Sequence, residues 1–327
     1  MDMGKGGGDI KLCLTLYSFS WEYASRKLSL EEILRKAKEM GYSGIELVAS
    51  QMVPGYPYPT EEWMGYFSGL LEKYGLEPIC YSAYIDMGIH SDRDLCEEEI
   101  FNFTLNDMIC AKRMGFALVR TQHAISPAIY KKMLPYCKKL GMILAIEMHH
   151  PHNPEVPVWK ELLSIMGESD GYLGVVPDFS IFAEKPHAFH ITQAIEDFGG
   201  RPEKVAEIAR RHQDGADEDT LLAGDYNDGE KTFIKDVFHT YGNGKANLGW
   251  MRELLPVTVY IHGKFWYMGD DEVDHTTPCD KLIPIIKESG YKGYIASEYE
   301  GHHFNPDTDT QEQLGRWVRM TNRLLGV

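Results

Sequence analysis

The sequence repeats one unit, an amphipathic segment that ends in glycine and is followed by a short apolar run. The first clear copy covers residues 30–40 and ends at Gly41. The last covers residues 281–289 and leads through Gly290 into the run at 293–298. A glycine after a helix suits a left-handed C-terminal cap, and the apolar run suits a buried parallel strand. The repeat therefore predicts alternating helices and strands.

Alternation at this length predicts an α/β fold with a parallel sheet. An open doubly wound sheet is the alternative. It is disfavoured because no G-x-G-x-x-G motif follows the first run, and polar residues end many runs rather than one. We therefore predict one (β/α)8 TIM barrel domain over residues 10–327. Its strands are expected near residues 10–17, 44–48, 77–81, 117–121, 143–148, 172–177, 257–262 and 293–298.

Two segments do not follow the repeat. Residues 1–9 are glycine-rich with no apolar region after them, so a flexible leader is expected rather than a signal peptide. Residues 179–250 contain no evident strand, but they carry helical patches at 202–211 and 232–237. We predict a helical insertion after strand six. It would project over the active-site face of a barrel, either as a lid or as a subunit contact.

Composition narrows the classes of partner. The formal net charge is −16, which disfavours nucleic acid and anionic membranes as partners. No apolar run approaches eighteen residues, so no membrane span is expected. The six cysteines are scattered without a C-x-x-C pair, which is typical of reduced thiols. These features favour a cytoplasmic protein that binds a small molecule.

Polar residues interrupt four successive apolar runs where each predicted strand ends. In a TIM barrel such ends meet at the active-site mouth. Three carboxylates and one imidazole suit Mn²⁺, Mg²⁺ or Co²⁺ better than a structural zinc ion. Any one of these residues alone could be a solvated rim residue, and Asp178 could equally cap a helix. Together they predict a divalent metal site formed by Glu147, Asp178, His262 and Glu298.

Strand geometry adds neighbours to this set. Side chains two residues apart share a face, so His149 should point the same way as Glu147, and Lys264 the same way as His262. His149 is then a candidate for proton transfer, although a merely polar rim histidine fits the spacing equally well. His150 should face away. The residues expected to contact a substrate are Lys264, Glu46, Arg120, Gln122, Tyr17 and His302.

Five segments carry a resemblance to known proteins: Gly41–Glu46, Ile146–His149, Pro177–Phe179, Tyr260–Phe265 and Ser297–His302. They resemble the xylose-isomerase-like sugar isomerase and epimerase superfamily. The resemblance covers nearly the whole chain. Within the superfamily the pattern is most similar to the large (α) subunit of bacterial C-glycoside deglycosidases, which residues 15–19 and 51–58 also resemble.

The resemblance implies a function. The superfamily implies a metal held by the same four residues, of which Glu147 and Glu298 are also predicted to be catalytic. The deglycosidases imply Mn²⁺, a small β-subunit partner in a hetero-oligomer, and His149 as the base. The implied substrate is a 3-oxo-C-glucoside of a flavonoid-type aglycone. A metal-chelated C3 ketone acidifies the C2 proton, His149 removes that proton, and the aryl group leaves C1 by elimination.

Three other functions compete with this lyase. A ketose 3-epimerase or sugar isomerase would use the same metal and an enediolate, with Glu147 and Glu298 as the two bases and His149 dispensable. An apurinic-site endonuclease on the same barrel would need a basic face, which a net charge of −16 does not provide. A non-enzymatic scaffold on a decayed barrel would bind no metal, and four intact ligand candidates argue against it.

Overall fold

A computed structural model describes residues 9–122 and 125–327, so only Asp9 of the expected leader falls within it. Eight parallel strands form one sheet that curls into a nearly closed barrel, and the predicted TIM barrel is confirmed. The strands are β1 (Lys11–Thr15), β2 (Gly44–Val48), β3 (Glu77–Ser82), β4 (Leu118–Thr121), β5 (Ile143–Met148), β6 (Leu173–Pro177), β7 (Ile261–Phe265) and β8 (Tyr294–Tyr299).

Helices connect the strands and surround the barrel. They are α1 (Ser20–Ala24), α2 (Leu30–Glu39), α3 (Ala49–Met52), α4 (Glu61–Tyr74), α5 (Glu97–Arg113), α6 (Pro127–Leu140), α7 (Pro157–Gly167), α8 (Ala188–Glu196), α9 (Pro202–Gln213), α10 (Glu218–Leu222), α11 (Asp228–Tyr241), α12 (Leu248–Leu254), α13 (Cys279–Glu288) and α14 (Thr310–Leu325). Four 3₁₀ turns occupy Leu16–Phe19, Phe179–Phe182, Leu255–Val257 and Gly301–His303.

The glycines of the sequence repeat end helices as expected. Five of them follow a helix of the barrel and have positive φ angles between 60° and 92°. Only glycine adopts this conformation without strain from a Cβ atom, so each one lets the chain reverse direction and enter the next strand. These five glycines are Gly41, Gly75, Gly115, Gly141 and Gly290.

The strand pair β6–β7 has few backbone hydrogen bonds. Seven neighbouring pairs form hydrogen-bonded ladders, in the order β6-β5-β4-β3-β2-β1-β8-β7. Between β6 and β7, residues 125–327 supply only two isolated bridges, Val175 with Thr258 and Asp178 with His262. The β6–β7 seam therefore depends on side-chain contacts more than any other pair.

The barrel has two apolar layers. One face of the strands packs against the helices in the main hydrophobic cluster, which includes Leu144, Ile146 and Met148 of β5. The opposite face forms a smaller cluster inside the barrel, which includes Ala145, Val176, Tyr260 and Ala296. Alternation of side chains along a strand accounts for this division.

The boundary of the seventh strand was predicted wrongly. Residues 257–262 were expected to form it, with His262 at its end, but β7 begins at Ile261 and continues to Phe265. Leu255–Val257 instead form a 3₁₀ turn, and the amide of Thr258 donates to the carbonyl of Leu255. A short apolar run does not distinguish a buried turn from a buried strand. The first strand is shorter than expected for a similar reason, because residues 16 and 17 belong to a 3₁₀ turn.

Residues 183–254 contain helices α8 to α12 between β6 and β7. The helices from α8 to α11 form a hydrophobic cluster of their own, centred on residues such as Val205, Ile208, Phe233 and Val237, with Trp266 packed against them. That this segment is an insertion into the barrel stays a prediction. So does its role as a lid or a subunit contact.

Two further observations bear on the protein class. In the described part of the chain, no helix has the length and apolar character needed to cross a bilayer. All six cysteines are free thiols, five of them buried and Cys96 exposed.

A buried carboxyl on α5 lies against the loop that follows β2. Asp107 is 1% exposed, and its Oδ2 accepts a hydrogen bond from the Tyr56 hydroxyl at 3.2 Å. Its Oδ1 has no hydrogen-bond partner in the described residues. Burial raises the pKa of Asp107 to about 7, which the bond from Tyr56 only partly opposes. The folded protein therefore favours the neutral carboxyl.

We expect Asp107→Asn to reduce the loss of stability at rising pH. A folded-state pKa above the unfolded value stabilises the protein fully at acidic pH, and this contribution is lost between about pH 4 and pH 7. Wild type should therefore lose more unfolding free energy than the variant between pH 5 and pH 8. Between pH 5 and the folded-state pKa, wild type should lose about 1.4 kcal/mol more than the variant for each pH unit. Urea unfolding at each pH measures it. Parallel curves would contradict the expectation, and Asp92→Asn on the surface is the control.

Candidate metal centre

The inward faces of four consecutive strands bring the predicted ligands together. Each lies two residues beyond an apolar residue of the barrel interior, as Glu147 follows Ala145 and Asp178 follows Val176. One ligand atom from each residue lies within 4.8 Å of the other three. The four residues are Glu147, Asp178, His262 and Glu298, and all four are buried.

The contacts of His262 show how closely these atoms converge. Its Nδ1 lies 2.7 Å from Glu147 Oε1, 3.2 Å from Glu298 Oε2 and 3.8 Å from Asp178 Oδ2. Each of these four atoms is buried, and none has a hydrogen-bond partner in residues 9–122 and 125–327. Buried polar atoms are almost always paired, so four unpaired ones facing one point fit a bound cation.

The charges around this point also fit a divalent ion. Four carboxylates and two cations are buried here: Glu46, Glu147, Asp178, Glu298, Arg120 and Lys264. With a neutral imidazole, this set lacks two positive charges, and buried charges are costly unless they are balanced. Oxygen ligands with one nitrogen are the donors that Mn²⁺, Mg²⁺ and Co²⁺ accept. The residues present therefore fit a divalent metal.

His262 is oriented by a second carboxylate. Its Nε2 lies 2.8 Å from Glu46 Oε2, and because a carboxylate only accepts, Nε2 carries the proton. When the imidazole is neutral, the lone pair is then on Nδ1, which faces Glu147, Glu298 and Asp178, and this is the arrangement that metal-binding histidines need. Burial lowers the pKa of His262, but the carboxylates of Glu46, Glu298 and Glu147 outweigh it and raise that pKa well above its usual value.

Arg120 forms ion pairs with two of these carboxylates, Glu147 and Glu46. Its Nη1 donates to Glu147 Oε2 at 2.6 Å, and its Nη2 donates to Glu46 Oε1 at 3.1 Å. Arg120 and Glu46 are 1% and 0% exposed, so both are buried with the candidate ligands rather than lying at the rim. Their predicted substrate contacts stay predictions, and their contacts here support a role in positioning Glu147 and His262.

Asp178 serves two partners at once. Its Oδ1 accepts a hydrogen bond from the amide of Ser180 at 2.7 Å and so caps the 3₁₀ turn Phe179–Phe182. Its Oδ2 faces the ligand cluster. Burial raises the pKa of Asp178 to about 6, while Lys264 acts in the opposite direction. The capping and ligand interpretations of this residue are therefore compatible.

Lys264 lies beside the cluster, two residues beyond His262 on β7. Its Nζ is 3.5 Å from Asp178 Oδ2, 3.7 Å from Glu298 Oε2 and 3.1 Å from Glu300 Oε1. Burial lowers the pKa of Lys264, but these three carboxylates outweigh it and keep that pKa well above its usual value. The ammonium group is therefore a fixed positive charge next to the ligands.

Three other predicted substrate residues lie around the mouth. The Tyr17 hydroxyl is 2.7 Å from His303 Nε2, and burial together with the charges of Glu300 and Glu298 raises its pKa. His302 is buried with its Nε2 3.2 Å from Ser20 Oγ, and burial lowers its pKa to about 4. Gln122 is partly exposed just beyond β4. Substrate contact by any of them stays a prediction.

The candidate base, His149, is partly exposed just beyond β5. Its Nδ1 lies 2.6 Å from the carbonyl oxygen of His150, which can only accept, so Nδ1 carries the proton and Nε2 the lone pair. The neighbouring His150 turns elsewhere, with its amide bonded to Ser180 Oγ and its ring against His239. In this tautomer Nε2 is the ring nitrogen that could accept a proton.

Sequence reasoning missed Tyr84. The residue follows β3, and its hydroxyl accepts a hydrogen bond from Arg120 Nη2 at 2.9 Å. The available signal was the continuation of period two from Cys80 and Ser82 beyond the end of the apolar run.

Comparison with known proteins identifies the family. The family described as Xylose isomerase-like TIM barrel matches residues 34–320. The chain belongs to this family. It is 29% identical to the 3'-dehydrocarminate deglycosidase alpha subunit of a Microbacterium species, covering 97% of this chain and 95% of that one. It is 26% identical to the C-glycoside deglycosidase alpha subunit of Arthrobacter globiformis, covering 93% and 88%.

Solved structures of an epimerase and of a sugar phosphate isomerase/epimerase share the fold. D-psicose 3-epimerase with D-fructose superposes with a TM-score of 0.57 at 11% identity, covering 97% of this chain and 98% of that one. A sugar phosphate isomerase/epimerase from Parabacteroides distasonis gives a TM-score of 0.56 at 14% identity, covering 96% and 97%. The predicted resemblance to the isomerase and epimerase superfamily is confirmed.

We expect a divalent metal to stabilise the β6–β7 seam selectively. Asp178 and His262 face each other across this seam, so an ion between them adds a link where the backbone supplies few. Hydrogen exchange of amides at 173–178 and 258–265 should slow when Mn²⁺ is added to chelator-treated protein. The β2–β3 ladder is the internal control. Binding at a hundred times Kd should add about 2.7 kcal/mol of stability. Equal slowing in both regions, or none, would contradict the expectation.

We expect Glu46→Gln to weaken metal binding without removing a ligand. The variant keeps the size of the side chain but loses the charge that pairs with Arg120 and the strong acceptor for His262 Nε2. Loss of such a supporting group typically costs about 10–100-fold in metal affinity. Calorimetric titration with Mn²⁺ measures the change, and Glu31→Gln on the surface should leave the affinity as in wild type. An unchanged affinity in Glu46→Gln would show that Glu46 does not position His262.

Proposed function

We propose that this protein is the catalytic subunit of a metal-dependent lyase that cleaves the carbon–carbon glycosidic bond of 3-oxo-C-glucosides. The observation that carries the proposal is the similarity, over almost the full length of both chains, to proteins named as deglycosidase alpha subunits. One of those names specifies a 3'-dehydro compound. The convergence of Glu147, Asp178, His262 and Glu298 supports it, because a divalent ion held there could polarise a sugar carbonyl.

The four converging residues would hold a divalent ion, and Mn²⁺ is the ion we propose. When bound, the ion polarises the C3 carbonyl and acidifies the proton on C2. Glu147 and Glu298 supply two of the negative charges that hold the ion, and the buried ammonium group of Lys264 lies beside them. Lys264 can donate a hydrogen bond to a sugar oxygen without leaving its carboxylate partners.

His149 takes the C2 proton in this scheme. Its Nδ1–H is held by the carbonyl of His150, so Nε2 presents the lone pair that accepts a proton. As the C2–H bond breaks, a double bond forms between C1 and C2, and the bond from C1 to the aglycone carbon breaks. The electron pair of that bond goes to the aglycone carbon, which gains a proton. One substrate thus gives a free aglycone and an unsaturated 3-oxo sugar, with atoms and charge balanced.

A partner subunit is part of the proposal. The related proteins are named alpha subunits, and a small β subunit in a hetero-oligomer is the partner we propose here. The aglycone is proposed to be of the flavonoid type. The alternative function is a ketose 3-epimerase or sugar isomerase, in which the same centre would act with Glu147 and Glu298 as bases and His149 would be dispensable.

The test is incubation of the Mn²⁺-loaded protein with a flavonoid 3-oxo-C-glucoside and, separately, with a free ketose, with products identified by mass and chromatography. The chain is assayed alone and with a β subunit from one of the related proteins. Cleavage to free aglycone is the expected result. His149→Ala should lower kcat by about 10²–10⁴-fold and keep its metal, because loss of a general base has this effect.

Each other outcome contradicts a named part of the proposal. An epimerised ketose without cleavage would establish the alternative function, and full activity of His149→Ala would remove the base assignment. No product and no bound metal would favour a scaffold. Full activity of the chain alone would contradict the need for a partner. His275→Ala, which changes an exposed histidine paired with Asp271, is the matched control and should leave activity unchanged.

A further inference from the structure

Tyr84 continues the inward face of β3 beyond the end of the strand. Cys80 lies inside the barrel, and Ser82 and Tyr84 follow at intervals of two residues. Side chains at this interval share a face, so Tyr84 belongs to the same mouth as the ligand cluster. It is partly exposed, whereas Arg120 and Glu147 are buried. Tyr84 is therefore nearer to solvent than the groups it contacts.

Arg120 holds the phenol in two ways. Its guanidinium carbon lies 4.9 Å from the centre of the Tyr84 ring, and its Nη2 donates to the Tyr84 hydroxyl oxygen at 2.9 Å. The same guanidinium is fixed by ion pairs to Glu147 and Glu46. The position of the hydroxyl is thereby tied to the position of a proposed metal ligand through a single rigid group.

The hydrogen-bonding capacity of this hydroxyl is only partly used. An arginine can only donate, so the Tyr84 oxygen accepts from it and keeps its own hydrogen to donate. Across residues 9–122 and 125–327, no side chain or carbonyl receives a hydrogen bond from the Tyr84 hydroxyl. Burial raises the pKa of Tyr84 to about 12, although Arg120 opposes this, so the hydrogen is present at neutral pH. Among the described residues, the Tyr84 hydroxyl is therefore an oriented donor without an acceptor.

We propose that the Tyr84 hydroxyl donates a hydrogen bond to an oxygen of the sugar bound at the ligand cluster, with Arg120 fixing its direction. The proposal rests on the proposed function for the nature of the ligand, a sugar that carries a carbonyl group. It adds a substrate-binding residue that faces the sugar from the β3 side, opposite Lys264 on β7. A tyrosine that only shielded Arg120 from water would have the same contacts but no effect on the sugar.

The test compares Tyr84→Phe with Tyr81→Phe. The first variant keeps the aromatic ring against Arg120 and removes only the hydroxyl. The second removes a buried hydroxyl of β3 that has no hydrogen-bond partner among the described residues and whose ring packs against Phe116. For each Mn²⁺-loaded protein we would measure metal stoichiometry, the kcat and KM on a 3-oxo-C-glucoside with the β subunit present, and the Kd for D-fructose by calorimetry.

Tyr84→Phe is expected to raise KM about tenfold with kcat within about threefold of wild type, the pattern for a hydrogen bond that contributes to binding. The Kd for D-fructose should rise by a similar factor. Metal stoichiometry should stay as in wild type, and Tyr81→Phe should match wild type throughout. An unchanged KM and Kd would overturn the proposal. A loss of metal in Tyr84→Phe would overturn it too, because Tyr84 would then act through Arg120 and Glu147.

Failure of the proposed function gives a different result. If wild type cleaves no glycoside, the deglycosidase proposal fails, and the Kd for D-fructose alone decides the role of Tyr84. A weaker Kd in Tyr84→Phe then still supports a sugar-binding hydroxyl, and an equal Kd overturns it. If wild type binds no sugar of either kind, both proposals are overturned.

Discussion

Balancing buried charge is the constraint on which the rest of this site depends. Four carboxylates lie out of water at the mouth of the barrel, and Arg120 and Lys264 neutralise only part of their charge. An unbalanced buried charge costs several kcal/mol, so these carboxylates destabilise the fold unless another group supplies positive charge. Protein groups supply part of it by raising the pKa of His262. A divalent ion would supply the whole, and it would restore the neutral imidazole that a ligand must be.

The residues of the candidate metal centre also lie where the barrel is most weakly joined. Seven strand pairs are joined by backbone ladders, and the eighth, β6 with β7, has two bridges within residues 125–327. One of those bridges joins Asp178 to His262, two of the four converging residues. The weakest seam of the sheet and the candidate metal centre therefore coincide. A link between these side chains would connect β5, β6, β7 and β8, so the centre contributes to the fold as well as to the chemistry.

Polar residues at this mouth hold one another in place. Glu46 and Arg120 contact two of the candidate ligands, His262 and Glu147. Glu46 and Arg120 are as buried as the candidate ligands, whereas Lys264 and Tyr84 lie nearer to solvent. Such preorganisation is what allows a site to act without rearranging. Contacts and exposure, rather than residue type, separate groups that could position a ligand from groups that could reach a substrate.

The sequence by itself determined the barrel, because glycine-capped helices alternating with apolar runs leave few other folds. It also determined the four converging residues, since strand ends of a parallel barrel meet at one mouth. Only the tertiary structure decided depth and pairing. Glu46 and Arg120 looked like rim residues, and the contacts that bury them come from strands distant in sequence. Tyr84 lay outside any apolar run, and a 3₁₀ turn at residues 255–257 displaced β7, because local pattern does not encode which neighbours a side chain will meet.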